Sequence, residues 1–202
     1  MKNQELEVKL FVSDLNSVED RLQELGAHLT LQRVLEINLR FDTPNNDLGN
    51  SYRVLRLRQD ARARLTYKGP ASGLGGARLR QELEFEVSDF DMARLFLEAL
   101  GYQVMLIYEK YRAAYDLDGV EISLDELPYG TFVEIEGPDP SAIQDVTRKL
   151  GLDWEATIPA SYTVLFEQLK ERLSLTIRDL SFENFANLEV TPDDLGVRPA
   201  DA

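Results

Sequence analysis

Charged side chains alternate with apolar ones along several short stretches, the first being Glu5-Leu6-Glu7-Val8-Lys9. Successive side chains of a β-strand point to opposite faces, so Glu5, Glu7 and Lys9 would share one face of a strand. Burying such a face is unfavourable unless its charges meet opposite charges or a ligand. The stretch therefore predicts a strand whose charged face takes part in binding.

The same alternation recurs along the chain and gives six acids and seven bases that would share a face. The acids are Glu5, Glu7, Glu82, Glu84, Glu134 and Glu136, and the bases are Lys9, Arg56, Arg58, Lys68, Arg80, Lys110 and Arg112. Carboxylate clusters suit hard divalent cations, which prefer oxygen ligands. Arginine and lysine suit phosphate oxygens. A site that carries both sets has the chemistry needed for a complex of metal ions with a polyphosphate.

About eight strands and four amphipathic helices must position these residues. The spacing of apolar residues predicts helices over about 13–25, 89–100, 140–150 and 160–173. One interpretation is that each charged face simply meets water. The other is that the helices cover the apolar face, so that the sheet closes into an antiparallel barrel with a charged lumen, an α+β fold. Like charges on one strand repel each other, which favours the second interpretation.

Residues 1–173 are predicted to form this barrel domain, and residues 174–202 an extension of unknown role. Within the domain, the glycine-rich stretch 72–76 is predicted to be a flexible loop. It lacks the lysine and the strand-to-helix context of a phosphate-binding loop.

Composition excludes several classes of function. The net charge of −14 argues against general nucleic-acid binding, and the absence of cysteine excludes disulfides and thiolate chemistry. There is no apolar run long enough to span a membrane, and the charged start is unlike a secretory signal. We therefore expect a cytoplasmic protein, a monomer or homodimer, that binds a small molecule and neither nucleic acid nor membrane.

The motifs resemble those of the CYTH, or triphosphate tunnel metalloenzyme, superfamily. Seven of them occur in order over about residues 5–170. They are Glu5-x-Glu7-x-Lys9, Phe41-Asp42-Thr43-Pro44, Leu55-Arg56-Leu57-Arg58, Leu65-Thr66-Tyr67-Lys68-Gly69-Pro70, Arg80-x-Glu82-x-Glu84, Lys110-x-Arg112, and the run from Asp125 through Glu134-x-Glu136, with Ser161-Tyr162 opening the closing helix. Two positions depart from the pattern, because family members often have an acid near Asn38 and a tyrosine at Arg40.

The resemblance implies an eight-stranded tunnel that binds a triphosphate together with Mg²⁺ or Mn²⁺, with two ions present when substrate is bound. It implies that Glu5, Glu7, Glu134 and Glu136 are the main metal ligands, with Glu82 and Glu84 as secondary ligands or partners of the bases. The implied phosphate-binding residues are Lys9, Arg56, Arg58, Lys68, Lys110 and Arg112, with Arg80 as a further candidate. Glu5, Glu7 and Lys9 would act in catalysis, and Asp125 would orient a neighbouring base.

Three functions are compatible with these residues. The first is metal-dependent hydrolysis of inorganic tripolyphosphate or of an organic or nucleoside triphosphate. The second, from the same superfamily, is a class IV adenylate cyclase that converts ATP to cAMP and pyrophosphate, which needs an adenine pocket that the sequence does not display. The third is a binding module for polyphosphate or nucleotide without catalysis. The acids argue against this last function, because binding alone could use the bases without them.

Overall fold

The computed structural model describes residues 4–202 and contains eight strands in one antiparallel sheet. The strands are β1 (Gln4–Val12), β2 (His28–Asp42), β3 (Val54–Gln59), β4 (Ala63–Leu74), β5 (Ala77–Val87), β6 (Gln103–Leu117), β7 (Val120–Leu127) and β8 (Gly130–Glu136). Their order, β1-β5-β4-β3-β2-β6-β7-β8, closes into a ring because β8 pairs with β1. The predicted α+β fold with a closed antiparallel tunnel is therefore confirmed.

Six helices lie outside the ring, four long and two short. They are α1 (Leu15–Glu24), α2 (Phe90–Ala99), α3 (Pro140–Lys149), α4 (Tyr162–Leu173), α5 (Phe182–Phe185) and α6 (Pro192–Leu195). Each helix begins at a side chain that caps free backbone N–H groups; Ser161, for example, accepts a hydrogen bond from the N–H of Val164. The four long helices are those predicted from apolar spacing. None of the helices in residues 4–202 combines the length and apolar character that crossing a membrane requires.

The hydrophobic core lies between the ring and the helices, in three clusters. One is formed around α1 and α3, where Leu22 and Ile143 are fully buried. A second lies beneath α4, with Phe166 and Leu169 at its centre, and a third lies beneath α2. Because the apolar faces of the strands are used here, their charged faces are left to point into the ring.

The stretch 72–76 is not a loop, so that prediction is wrong. β4 runs through Ser72 and Gly73 to Leu74 and pairs with β5, leaving only Gly75 and Gly76 as a two-residue turn. Both turn glycines have positive φ, +58° and +87°, which glycine adopts without the strain that a side chain would add. Backbone pairing with β5 therefore outweighs the glycine-rich composition of this segment.

Residues 174–202 pack on the outside of the tunnel. Leu180 is fully buried and exchanges backbone hydrogen bonds with β6, to Ile107 and Glu109. At the other end, the N–H of Ala200 donates to the carbonyl of Phe11 in β1. The extension is therefore a packed outer layer, and its separation from residues 1–173 as a domain stays a prediction.

Candidate functional site

All thirteen acids and bases predicted to share a face line one cavity of about 1430 Å³ inside the ring. They are Glu5, Glu7, Lys9, Arg56, Arg58, Lys68, Arg80, Glu82, Glu84, Lys110, Arg112, Glu134 and Glu136. Asp125, the fourteenth predicted site residue, is fully buried and lies behind this lining rather than in it. The alternation of charged and apolar residues thus brings side chains from six strands into one enclosed space.

Asp125 anchors two of the bases. Its carboxylate accepts hydrogen bonds from the Lys110 ammonium at 2.9 Å and from Nε of Arg112 at 2.6 Å. The hydroxyl of Tyr162, at the start of α4, donates to the same carboxylate at 2.7 Å. Two strands, β6 and β7, and helix α4 meet around this carboxylate, which fixes the orientation of both cations. The placement fits the orienting role predicted for Asp125, and that role stays a prediction.

Lys9 and Glu134 form the next layer of the lumen. Their ammonium and carboxylate lie 3.1 Å apart, and Arg112 also donates to Glu134. The Lys9 ammonium sits 4.2 Å from the centre of the Tyr162 ring, within the range of a cation–π contact. Burial favours the neutral form of Glu134, but Lys9 and Arg112 outweigh it and hold the pKa of this carboxyl well below its usual range.

Arg56 and Arg58 face the same space with long, weak ion pairs. Arg56 lies 3.5 Å from Glu84, and Arg58 lies 3.2 Å from Glu84 and 3.4 Å from Glu36. The Nε of each guanidinium is buried and has no hydrogen-bond partner among residues 4–202. Buried donors without partners are unfavourable, so these two arginines have unused capacity to bind an anion.

Carboxylates from three neighbouring strands, β1, β7 and β8, lie opposite one another at one end of the cavity. Glu136 lies opposite Glu7 in one strand pair and opposite Glu121 in the other. Burial, followed by repulsion from Glu5, Glu121 and Glu7, raises the pKa of Glu136 to about 8. Burial and the nearby carboxylates of Glu134 and Glu5 also raise the pKa of Glu7. Carboxylates that repel each other in this way favour a bound cation.

Lys68 partly neutralises the neighbouring acids. Its ammonium lies 2.7 Å from both oxygens of Glu5 and 3.0 Å from Glu82. Burial raises the pKa of Glu5 more than Lys68 lowers it, and Glu82 raises it further. The strands carry mostly one sign of charge each, but across the lumen acids and bases pair.

A family model for the CYTH domain matches residues 3–162 of this sequence. The chain belongs to the CYTH family. The seven motifs noted in the sequence fall within the matched range, and they contribute the thirteen acids and bases that line the cavity.

Two proteins of known name are similar to this CYTH chain. Adenylate cyclase CyaB of Aeromonas hydrophila is 29% identical over 178 residues, which cover 81% of this chain and 89% of that protein. Protein MJ0240 of Methanocaldococcus jannaschii, whose name proposes adenylate cyclase activity, is 28% identical over 147 residues, covering 72% of this chain and 81% of that protein.

Solved structures share the fold. Protein PH1012 of Pyrococcus horikoshii OT3 superposes with a TM-score of 0.66 at 28% identity, covering 78% of this chain and 96% of that protein. The protein HpAC1 of Hippeastrum, whose structure is reported to reveal a dominant triphosphatase activity, superposes with a TM-score of 0.59 at 20% identity, covering 81% of this chain and 95% of that chain. At that identity the second likeness shows the fold alone.

Arg80 differs from the other bases. Its Nε and Nη2 both donate to the carbonyl of Gly69, at 3.2 and 2.7 Å, beside the irregularity in the β4–β5 pairing between Lys68 and Ala71. Arg80 therefore braces the strand pair, and its predicted contact with substrate stays a prediction.

Five residues outside the predicted set of site residues also point into the lumen of the CYTH tunnel, and two of them, Asn38 and Arg40, are the departures from the family pattern noted in the sequence. The five are Glu36, Asn38, Arg40, Arg78 and Tyr108. The signal was present for β2, because Glu36, Asn38 and Arg40 alternate with Leu35, Ile37 and Leu39 as the other charged rows do. That row mixes an acid, an amide and a base, so it does not stand out as a cluster of one sign.

Proposed function

We propose that this CYTH protein hydrolyses a triphosphate to a diphosphate and phosphate, with the help of a divalent cation, inside the tunnel. One observation supports the proposal most: buried bases with unused hydrogen-bonding capacity and mutually repelling carboxylates line the same cavity. A polyphosphate would accept hydrogen bonds from the bases, and a divalent cation would be held by the acids. A complex of the two would therefore reduce the repulsion among the bases and the repulsion among the acids together.

The bases are placed to hold the phosphate chain along the lumen. Arg56 and Arg58 present guanidinium groups whose present ion pairs are 3.2 Å or longer, so phosphate oxygens can compete for them. Lys110 and Arg112 are fixed by Asp125 and lose little conformational freedom when they bind. A preorganised set of this kind stabilises the negative charge that develops on the transferred phosphoryl group and on its leaving group.

The acids fit a hard cation by their chemistry. Glu5, Glu7 and Glu136 supply carboxylate oxygens, which Mg²⁺ and Mn²⁺ accept as ligands. Within residues 4–202, no three acidic or histidine side chains are already gathered as a preformed metal centre. We therefore propose that these residues hold the ion together with phosphate oxygens of the substrate. When bound, such an ion neutralises phosphate charge and polarises the bond that is cleaved.

Replacing Glu7 by alanine tests this function. We expect Glu7→Ala to abolish metal-dependent release of phosphate from inorganic tripolyphosphate, measured with Mg²⁺ and with Mn²⁺. Glu24→Ala, at an exposed position on α1, serves as the control and should retain the wild-type rate. A wild-type rate in the Glu7 variant, with circular dichroism showing a folded protein, would count against the site.

Adenylate cyclase activity is the second candidate, since the relatives of A. hydrophila and M. jannaschii carry that name. One end of the cavity also offers apolar surface for a nucleobase, because Tyr52, Met105 and Val164 line it and are 80%, 43% and 46% exposed. Incubation with ATP distinguishes the two candidates. Formation of only cAMP and pyrophosphate would replace the hydrolase proposal, whereas ADP and phosphate would support it.

A further inference from the structure

Arg40 lies inside the tunnel at the end nearest α4. In the sheet it pairs with Arg56 of β3 on one side and with Leu106 of β6 on the other. Its Nη1 donates to the hydroxyl of Thr163 in the first turn of α4 at 3.0 Å. The side chain is therefore held in place and lines the same cavity as the central bases.

No carboxylate within residues 4–202 forms an ion pair with Arg40, and its Nε is buried without a hydrogen-bond partner. Asp42 is the nearest acid along β2, but its oxygens accept the N–H groups of Thr43, Leu48 and Gly49 at 2.7 to 2.9 Å. A largely buried guanidinium without an anionic partner is unfavourable. Arg40 thus has binding capacity that the protein itself does not use.

Two further guanidinium groups add to the positive charge. Burial, together with the proximity of Arg56 and Arg78, lowers the pKa of Arg40. The one ion pair of Arg78 in the described chain is 3.9 Å long, to Glu7, and the ion pair of Arg56 with Glu84 is 3.5 Å long. Arg40 of β2, which has no ion pair in the described chain, therefore lies near two weakly paired arginines of β3 and β5, and the three repel each other unless an anion lies between them.

Acidic side chains of α4 lie at the same end of the cavity and could repel a bound anion. Glu167 is paired with Lys170 at 3.1 Å, which offsets its charge. Glu171 also lines the cavity, one turn further along the helix and away from Thr163. The positive end of the α4 dipole lies at Tyr162 and Thr163, on the side of Arg40. The net local charge around Arg40 is therefore positive.

The row of cations in the lumen that begins at Lys110 and ends at Arg40 is long. Lys110 pairs with Glu36, which is four residues from Arg40 along β2, or about 13 Å at the usual rise of a strand. Arg58 lies between the two ends of this row, opposite Asn38, and Arg56 lies directly opposite Arg40. Arg40 thus lies at the outer end of the bases that the proposed triphosphate site uses, beside Arg56.

We propose that Arg40, together with Arg56 and Arg78, forms an additional anion subsite that holds a fourth phosphoryl group, so that the tunnel favours linear condensed phosphates of four or more units over tripolyphosphate. This inference rests on the proposed function, because the central bases must hold the first three groups. Charge-assisted hydrogen bonds from Arg40 should make binding of inorganic tetrapolyphosphate at least about tenfold tighter than that of tripolyphosphate.

Calorimetric titration of the full-length protein with each phosphate, in the presence of a chelator to prevent turnover, tests the inference. Arg40→Gln should weaken tetrapolyphosphate binding at least about tenfold and tripolyphosphate binding less than about threefold. Thr163→Val, which keeps the charge but removes the anchor of Arg40, should produce a smaller loss of the same kind. Arg62→Gln, the same charge change at an exposed residue paired with Glu86, is the control and should affect neither ligand.

Equal weakening of both phosphates by Arg40→Gln would overturn the subsite, because Arg40 would then belong to the triphosphate site itself. No effect on either phosphate would overturn it as well. If wild-type protein binds tripolyphosphate normally but binds tetrapolyphosphate no better, the subsite fails while the proposed function stands. If wild-type protein binds neither, the subsite fails, and metal-dependent release of phosphate from tripolyphosphate, measured as above, decides separately whether the proposed function stands.

Discussion

Replacing Glu36 by glutamine should destabilise the protein in a way that depends strongly on pH. Glu36 is fully buried in the lumen on β2. One oxygen lies 3.4 Å from Arg58 and the other 3.6 Å from Lys110, and the second oxygen has no hydrogen-bond partner in the described chain. Glutamine keeps the size of the side chain but removes the negative charge that these cations surround.

The size of the expected loss in the free energy of unfolding follows from the pKa of the Glu36 carboxyl. Burial by itself raises that pKa, but four cations outweigh burial and lower it from the ordinary 4.5 to about 2. They are Lys110, Arg112, Arg58 and Arg56. A difference of about 2.5 between the two pKa values corresponds to about 3 kcal/mol of the free energy of unfolding, to order of magnitude.

The direction of the pKa shift sets the pH range in which the Glu36 carboxylate stabilises the protein. Because the folded-state pKa is depressed, the unfolded chain binds the proton first, so the stabilisation is fully present above about pH 4.5 and is lost as the pH falls towards 2. Urea unfolding at pH 7 should show Glu36→Gln to be less stable than wild type by about 3 kcal/mol. At pH 3 about half of that difference should remain.

Two results would refute this reasoning. One is a difference below about 1 kcal/mol at pH 7, which would mean that the surrounding cations are screened by water. The other is a difference that stays constant or grows on acidification, which would mean that packing rather than charge is lost. Glu24→Gln, at an exposed position on α1, controls for the removal of any one carboxylate and should change stability little at either pH.

Three further substitutions have defined outcomes. Asp125→Asn should lower kcat/KM for tripolyphosphate by about 10- to 100-fold, mainly through KM, because Lys110 loses its anchor; a steady-state assay showing unchanged KM would contradict this. Leu180→Ala should lower the free energy of unfolding by about 2–4 kcal/mol, since the side chain is fully buried in the extension; a loss under 1 kcal/mol in urea would show that the extension adds little. Gly130→Ala should lower the free energy of unfolding by about 1–3 kcal/mol, because the new Cβ would lie 2.7 Å from the Phe11 ring and the residue would have a φ of +149°. A wild-type melting temperature would contradict that steric argument.

The lumen could be predicted from the sequence because closure of the sheet leaves each strand with only one apolar side to bury. In β8, for example, Val133 and Ile135 are fully buried outside the ring, so Glu134 and Glu136 must point into it. The period of two fixes this choice without knowledge of the neighbouring strands. The same logic applies to every row of charged residues in the chain.

What could not be predicted depends on contacts between distant segments. The roles of Glu36 and Arg40 follow from what lies opposite them, and the register of β2 against β3 and β6 is not visible in β2 alone. The sequence shows that Leu180 is apolar, but it does not show that Leu180 lies beside Ile107, because the two residues are far apart in the chain. Composition also misled at residues 72–76, because pairing with β5 decides their conformation.

The choice between hydrolysis and cyclisation does not lie in the central charges. Both reactions need a polyphosphate held by bases and a cation held by carboxylates, and the roles proposed for Lys110, Arg112 and Glu7 are the same in either reaction. The reactions differ in what the end of the cavity near α4 must hold. Cyclisation needs a nucleoside there, for which the exposed ring of Tyr52 is a candidate surface, whereas the subsite proposed at Arg40 would hold a further anion. Substitutions at these two residues, rather than at the central glutamates, are therefore the ones that should separate the two activities.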